Sequence, residues 1–268
     1  MKTRILSAAV GIVLFIAVVY FMPPQAAIVA ISFLCAVAAH EMLGTTGVLR
    51  GSKMLWVCCV AAFFVPVATT IDAYYLLPVL YLFTLVIFLF AITHPKQMRF
   101  EQIAQSYLGA IVVPYLLSSV LRILVHHGAG KVYVLLPFVA AWCSDTMALV
   151  AGMLFGKHKL IPAVSPKKTI EGSLGGLLGS VFGMLIFGFV TGRYFHTQPH
   201  YLMLAVAGVV GSAVGQLGDL SLSLIKRNVG IKDYGKIMPG HGGVLDRFDS
   251  VLFTAPLFEL LLQFTNLL

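Results

Sequence analysis

Polar side chains that could bind an anion or a metal ion lie within the apolar second half of the sequence. One helical face is predicted to carry Ser212, Gln216, Asp219, Ser223 and Lys226, because these residues follow one another at intervals of three or four. An ionised carboxylate inside a membrane span is costly unless it is paired or bound to a metal ion. The stripe is therefore predicted to face a polar cavity, with Asp219 in a functional role. For Ser212 and Gln216, interhelical hydrogen bonding is an equal alternative.

The segment that follows, residues 226–249, combines cations, glycines and carboxylates. It contains the run Pro-Gly-His-Gly-Gly at 239–243, in which glycines let backbone N–H groups approach an anion closely. Carboxylates among cations and an amide-rich turn match the needs of a nucleoside triphosphate with Mg²⁺. Asp246 and Asp249 share a face if the last helix begins here; in the alternative, they cap its N-terminus in an ordinary positively charged loop. The cations are Lys226, Arg227, Lys232 and Arg247.

A third cluster, Ser-Pro-Lys-Lys-Thr-Ile-Glu-Gly at residues 165–172, precedes another apolar stretch. Its lysines and hydroxyl groups suit phosphate binding beside a helix N-terminus. Ser165 and Thr169 are equally consistent with plain N-caps, with Glu171 assisting. Asp145 lies inside the preceding apolar stretch and is predicted to point at the same cavity as Asp219.

The composition indicates whether these residues belong to a soluble protein or to a membrane protein. Hydrophobic residues make up 59% of the chain and charged residues 10%, whereas soluble domains carry about 25% charge. This excludes a disordered chain, a soluble enzyme and a disulfide scaffold. Lys and Arg number 18 against 10 Asp and Glu, but they do not cluster on a soluble face, so no nucleic-acid partner is predicted. The four cysteines show neither metal-binding nor disulfide spacing and are interpreted as buried free thiols.

The chain is predicted to be an all-α, polytopic integral membrane protein. A helix needs about 20 apolar residues to cross a hydrocarbon layer of ~30 Å, and nine stretches qualify. Residues 1–130 are predicted to pack and to make any oligomer contacts, and residues 131–268 to form the catalytic region with its cytoplasmic loops. Small residues at Gly175, Gly179 and Gly183 predict close helix packing. The predicted spans are 4–22, 25–43, 54–70, 73–93, 103–125, 131–155, 173–191, 200–225 and 249–268.

The distribution of basic residues predicts the orientation. If the N-terminus lies in the cytoplasm, only Arg122, Lys131 and Arg193 of the 18 Lys and Arg residues fall in outside loops. Cytoplasmic loops of membrane proteins carry such an excess of positive charge. The polar segments 157–172 and 226–249 are then predicted to lie on the cytoplasmic side.

The motifs at 165–172 and 223–249 resemble those of the phosphatidate cytidylyltransferases, or CDP-diacylglycerol synthases. The later motif reads Ser-Leu-Ile-Lys-Arg at 223–227, Lys-Asp at 232–233, Pro-Gly-His-Gly-Gly at 239–243 and Asp-Arg-Phe-Asp at 246–249. Asp145 stands where the family carries an Asp ahead of its second motif. The resemblance covers residues 140–250. Family members often carry an acid three residues after the Asp that corresponds to Asp219, and this chain has Leu222 there.

The resemblance implies a bacterial-type inner-membrane enzyme that joins CTP and phosphatidic acid into CDP-diacylglycerol and pyrophosphate, with Mg²⁺ as cofactor and its active site facing the cytoplasm. Asp219 and Asp246 would hold the metal, with Asp145 and Asp249 as further candidates; a second metal ion and a homodimer stay open. A CTP-dependent polyprenol or lipid kinase and a membrane transporter are the alternatives. The implied catalytic residues are Asp219, Asp246, Lys226 and Arg247, and the implied substrate-binding residues are Ser165, Lys167, Lys168, Thr169, Ser223, Arg227, Lys232, His241, Gly242 and Gly243.

Overall fold

The computed structural model describes residues 2–47, 49, 51–126, 128–195, 197–235, 242–265 and 267–268. Most of them are helical, which confirms the prediction of an all-α protein. The chain divides into two units. The first unit comprises Met1–Gly128 and Val229–Phe248, and the second comprises Ala129–Asn228 and Asp249–Leu268. The separate roles predicted for residues 1–130 and 131–268 stay a prediction.

The described part of the first unit contains seven α-helices, and local sequence explains where the second and third begin. Pro24 begins the second of them, because its fixed φ angle suits the first helical position. Ser52 caps the third by accepting a hydrogen bond of 3.2 Å from the N–H of Met54. The helices are α1 (Lys2–Phe21), α2 (Pro24–Thr45), α3 (Lys53–Ile71), α4 (Leu76–Thr93), α5 (Phe100–Tyr107), α6 (Val113–Leu117) and α7 (Ser119–His126).

The apolar stretch from Phe100 to His126 is interrupted by a π-helical turn at Leu108–Val112. Pro114 follows directly, and its missing N–H prevents a regular hydrogen-bond ladder there. The turn packs closely on α2, since a Cβ at Gly109 would lie 2.9 Å from Cγ of Leu43. The core of this unit forms where α2, α3, α4 and the turn meet, and it includes Leu43, Met54, Cys58, Phe83, Ile87 and Ala110.

The described part of the second unit contains five α-helices and one β-hairpin. A Cβ at Gly175 would lie 2.3 Å from the Cβ of Ala151, and one at Gly179 would lie 2.3 Å from the Cβ of Met147. These distances confirm the close packing predicted from the glycine spacing. The helices are α8 (Gly130–Tyr133), α9 (Leu136–Phe155), α10 (Ile170–Tyr194), α11 (Tyr201–Asn228) and α12 (Val251–Phe264), and the antiparallel strands are β1 (Lys159–Ile161) and β2 (Ser165–Thr169).

Seven stretches of the described chain are helical, long and apolar enough to cross a membrane. The predicted spans are confirmed for these seven. The span predicted over 4–22 corresponds to α1, a helix of 20 residues outside this group. The span predicted over 249–268 is wrong, because α12 has 14 residues, a length of ~21 Å against a hydrocarbon layer of ~30 Å. The seven stretches are Pro24–Thr45, Lys53–Ile71, Ala73–Thr93, Phe100–His126, Gly130–Phe155, Ile170–Tyr194 and Tyr201–Asn228.

Candidate active site

A cavity of about 490 Å³ lies in the second unit, among α9, the β-hairpin, the start of α10 and α11. Cations and carboxylates share its wall with apolar side chains. Leu149 and Met153, both on α9, are 63% and 70% exposed, so the apolar part of the wall is open to the surroundings. The lining residues are Asp145, Ala148, Leu149, Gly152, Met153, Leu160, Lys167, Lys168, Thr169, Gly172, Ser173, Gln216 and Asp219.

The β-hairpin and the start of α10 position the two lysines of the cavity. Thr169 is the N-cap of α10, and its Oγ1 accepts a hydrogen bond of 3.1 Å from the N–H of Gly172. The Glu171 carboxylate accepts hydrogen bonds from the N–H groups of Lys157 and His158, which ties the entry of the hairpin to the helix. The N-cap interpretation is confirmed for Thr169.

Ser165 does not line the cavity, unlike Lys167 and Lys168 of the same segment. It begins β2 and pairs with Ile161 across the hairpin, and the residues that line the cavity begin at Lys167 in this strand. A role for Ser165 in binding substrate stays a prediction.

The polar stripe of α11 faces the interior of the second unit, as its spacing predicts. Ser212 is fully buried, and its hydroxyl lies 2.7 Å from that of Ser144. The Gln216 side-chain amide donates to Ser212 Oγ at 3.1 Å and to the Ser173 carbonyl at 3.2 Å. The Ser173 hydroxyl donates in return to Gln216 Oε1. Interhelical hydrogen bonding therefore accounts for Ser212, whereas Gln216 combines it with a place on the cavity wall.

Three carboxylates gather where α9, α11 and the start of α12 meet. Asp219 forms an ion pair with Lys168 and accepts a hydrogen bond of 3.2 Å from the Ser223 hydroxyl. Asp145 accepts a hydrogen bond of 3.1 Å from the hydroxyl of Ser250. Asp249 is close enough to both acids for electrostatic repulsion.

The pKa of the Asp249 carboxyl reflects its burial and the repulsion among these three acids. Burial raises the pKa of its carboxyl above the ordinary range, repulsion from Asp219 and Asp145 raises the pKa further, and the Lys226 ammonium opposes both effects. Lys226 is itself buried at 7% exposure. A divalent cation would relieve the repulsion among the three acids.

The donor set suits Mg²⁺, which prefers carboxylate oxygens and keeps positions for water and substrate phosphates. Among the described residues, no three His, Cys, Asp or Glu side chains converge closely enough to form a complete metal site by themselves. One or two carboxylates with substrate phosphates are the usual arrangement for this ion, so Asp219 with Asp145 or Asp249 fits it chemically.

The predicted residues of the first unit that the structure describes lie in the glycine loop, defined as residues 229–235 and 242–248. Asp246 is 5% exposed, and its Oδ2 accepts hydrogen bonds from the N–H groups of Tyr234 (2.8 Å) and Gly243 (2.9 Å). Gly242 adopts a φ of +85°, a left-handed conformation that favours glycine. Lys232 and Arg247 are exposed, and His241 lies outside the described residues.

The condition under which Asp246 and Asp249 would share a helical face is not met. Asp246 lies in a 3₁₀ turn, Leu245–Arg247, and α12 begins only at Val251. Asp246 belongs to the first unit and Asp249 to the second. The buried Asp246 carboxylate organises the backbone around it, since it accepts two N–H groups of its own loop.

Arg227 lies at the end of α11, in the second unit. Its side chain is exposed, and its Nε donates a hydrogen bond of 3.3 Å to the carbonyl of Val164 in the hairpin turn.

Reasoning from the sequence missed Glu41 of α2. This carboxylate is 3% exposed, and its Oε2 accepts a hydrogen bond of 3.1 Å from the N–H of Leu245 in the glycine loop, 204 positions away. One signal could have revealed it: Glu41 is an acid inside an apolar span, and such residues are expensive unless they have a partner or a function.

Comparison with known proteins agrees with the motifs. The sequence model of the cytidylyltransferase family matches residues 2–265. Phosphatidate cytidylyltransferases of Staphylococcus epidermidis strain RP62A and Staphylococcus haemolyticus strain JCSC1435 are 46% and 45% identical to this chain over 133 residues. That of Staphylococcus aureus strain COL is 46% identical over 135 residues. Each alignment covers 50% of this chain and 50% of the relative, so the chain spans about half the length of the curated relatives it matches.

Proposed function

Since the chain belongs to the cytidylyltransferase family, we propose that it transfers the cytidylyl group of CTP to phosphatidic acid and releases pyrophosphate. The product is CDP-diacylglycerol. The observation that carries the proposal is the cavity of the second unit, where Lys167 and Lys168 stand with Asp145 and Asp219 beside an apolar wall. Such a wall suits a substrate that combines a phosphate with acyl chains, and the bacterial relatives are named for this activity.

The chemistry requires alignment more than proton transfer. A phosphate monoester has a second pKa near 6 and is mostly dianionic at neutral pH, so a lipid phosphate oxygen can attack the α-phosphorus of CTP without a general base. A bond forms between that oxygen and the α-phosphorus, while the bond from the α-phosphorus to the bridging oxygen breaks and its electron pair leaves with pyrophosphate. The protein must hold two anions together and stabilise the leaving charge.

The cations of the chain would perform these tasks. Lys167 and Lys168 would bind phosphate at the cavity that they line, whereas Lys226 balances the acids around Asp249. Asp219, with Asp145 or Asp249, would hold Mg²⁺. Bound there, Mg²⁺ would neutralise charge on the triphosphate and on the departing pyrophosphate. Arg227 would extend the positive field of the second unit. The motif implies that Asp246, Lys232 and Arg247 of the glycine loop bind the nucleotide and its metal ion.

The proposed location is the bacterial plasma membrane, with the active site facing the cytoplasm, where CTP is found. Seven apolar helices make the chain an integral membrane protein, the relatives are bacterial, and the excess of Lys and Arg in the predicted inside loops supports this orientation.

A direct assay separates the proposal from its alternatives. The purified full-length chain is incubated with phosphatidic acid, Mg²⁺ and CTP labelled either in the cytidine or in the γ-phosphate. We expect cytidine label in the lipid fraction and γ-label in pyrophosphate. Transfer of γ-label to a polyprenol or another lipid would identify a kinase and contradict the proposal. The absence of both labels from lipid would also contradict it.

Asp219→Asn provides the matched negative control for that assay. It keeps the shape of the side chain and removes the charge, so we expect transfer to fall by at least about 100-fold while the protein stays folded in detergent. Glu101→Gln, which makes the same change at an exposed position outside the site, should retain wild-type activity. Chelation of Mg²⁺ should stop the reaction, and added Mg²⁺ should restore it. Near wild-type turnover of Asp219→Asn would contradict the role of Asp219.

A further inference from the structure

We infer that Glu41 of α2 is a positioning residue that holds the glycine loop in the shape required to bind CTP. The inference rests on the proposed function, because it assigns the loop residues Asp246 and Arg247 to the nucleotide. The sequence predicts packing and any oligomer contacts for residues 1–130, and Glu41 lies within that region.

The first observation is the arrangement of the Glu41 carboxylate itself. Its Oε2 accepts the Leu245 N–H, and the backbone of Val244 contributes a second hydrogen bond to the carboxylate. Its Oε1 is buried, and no described residue forms a hydrogen bond with it. A buried carboxylate with incomplete partners destabilises a protein relative to a well-packed apolar side chain. Packing alone therefore does not explain an acid at this position.

The second observation is that the loop leaves room for this carboxylate. A Cβ at Gly243 would lie 2.4 Å from Glu41 Oε2, and one at Gly235 would lie 2.1 Å from Oε1. Both distances are far below van der Waals contact. Gly243 does not have a positive φ, so its backbone would accept alanine if there were space. The absence of a side chain at Gly243 is thus explained by Glu41.

The third observation connects Glu41 to the residues proposed to bind nucleotide. Gly243 is contacted by two carboxylates, since its N–H donates to Asp246 and its Cα faces Glu41. Leu245, which donates to Glu41, directly precedes Asp246 in the 3₁₀ turn that also contains Arg247. Glu41 therefore holds the backbone at Gly243 and at Leu245, on both sides of Val244. This backbone sets the direction of the Asp246 and Arg247 side chains.

Steady-state kinetics distinguish this role from simple stabilisation. For Glu41→Ala we expect the KM for CTP to rise about tenfold, as for loss of a hydrogen bond to a charged group. The KM for phosphatidic acid should not change. Glu41→Gln keeps an acceptor for the Leu245 N–H and should stay within about threefold of wild type. A merely structural residue would lower Vmax through loss of folded enzyme and leave both KM values unchanged, and that result would overturn the inference.

A double-mutant cycle with Gly243→Ala tests the contact itself. In the wild-type background, the added methyl meets the Glu41 carboxylate and should raise the KM for CTP. In the Glu41→Ala background, the methyl has room, so Gly243→Ala should cause no further increase. Additive effects would overturn the inference. If Glu41→Ala does not fold, Glu41→Asp, which retracts the carboxylate by one methylene, replaces it in the cycle.

The same cycle, followed by unfolding temperature in detergent, keeps the two proposals separable. A wild-type protein that makes no CDP-diacylglycerol contradicts the proposed function, and the stability cycle still tests the contact between Glu41 and Gly243. An active wild-type protein with additive variants contradicts only the role of Glu41.

Discussion

Lys168 and Asp219 form the ion pair on the wall of the cavity, and their side chains are 26% and 23% exposed. The ammonium nitrogen itself is shielded from solvent, so this pair is screened less than a surface ion pair, and removal of one partner leaves the other charge poorly compensated. Lys168 therefore both balances Asp219 and presents a positive charge to the cavity. Its ammonium group offsets the Asp219 carboxylate and remains close to any phosphate that enters.

We predict that Lys168→Met raises the KM for a phosphate-bearing substrate by about tenfold, since a charge-assisted hydrogen bond is lost. The unfolding temperature in detergent should also fall by a few degrees, because the half-buried Asp219 carboxylate loses its partner. Lys96→Met, the same change in an exposed loop of the first unit, should alter neither quantity. Unchanged KM values for both substrates in Lys168→Met would remove this lysine from the binding site.

At the scale of elements, the sequence predicts structure best where polar residues recur with helical periodicity and their exposure to lipid would be costly. The stripe on α11 was predictable because Asp219 cannot face lipid and its polar neighbours recur every three or four residues. The hairpin formed by β1 and β2 was not, because strands of three and five residues with Lys and Pro show no alternating pattern. The contact of Glu41 with Leu245 joins residues 204 positions apart, which no local pattern can indicate. The length of α12 was overestimated, because the predicted span extended the apolar residues 251–264 through polar residues at both ends.

The contact between α9 and α10 leads to a prediction for the second unit. Gly175→Ala would place a methyl 2.3 Å from the Cβ of Ala151, and such overpacking costs about 1–3 kcal/mol. The unfolding temperature in detergent should fall by about 3–10 °C. Gly11→Ala is the matched control in α1, where nothing lies within 4 Å of the added methyl. It should leave the unfolding temperature equal or slightly higher. Equal unfolding temperatures for the two variants would show that α9 and α10 are not packed at Gly175.

For the molecule as a whole, lipid covers the large apolar surface that a soluble protein would have to bury. Only 11% of the apolar window in Ala73–Thr93 is buried within the protein, and large side chains such as Leu82, Leu89 and Ile92 are exposed. A soluble protein seldom exposes such a continuous apolar face.

The orientation of the chain in the membrane gives the last prediction. With the N-terminus in the cytoplasm, Asp72 after α3 lies outside and Lys96 after α4 lies inside, and both are exposed. We expect a membrane-impermeant maleimide to label Asp72→Cys in intact cells and Lys96→Cys only after permeabilisation. The wild-type chain is the blank, because Cys35, Cys58 and Cys59 are buried and Cys143 is half-buried. The reverse labelling pattern would show that the chain has the opposite orientation. An active site that uses cytoplasmic CTP would then lie on the wrong side of the membrane.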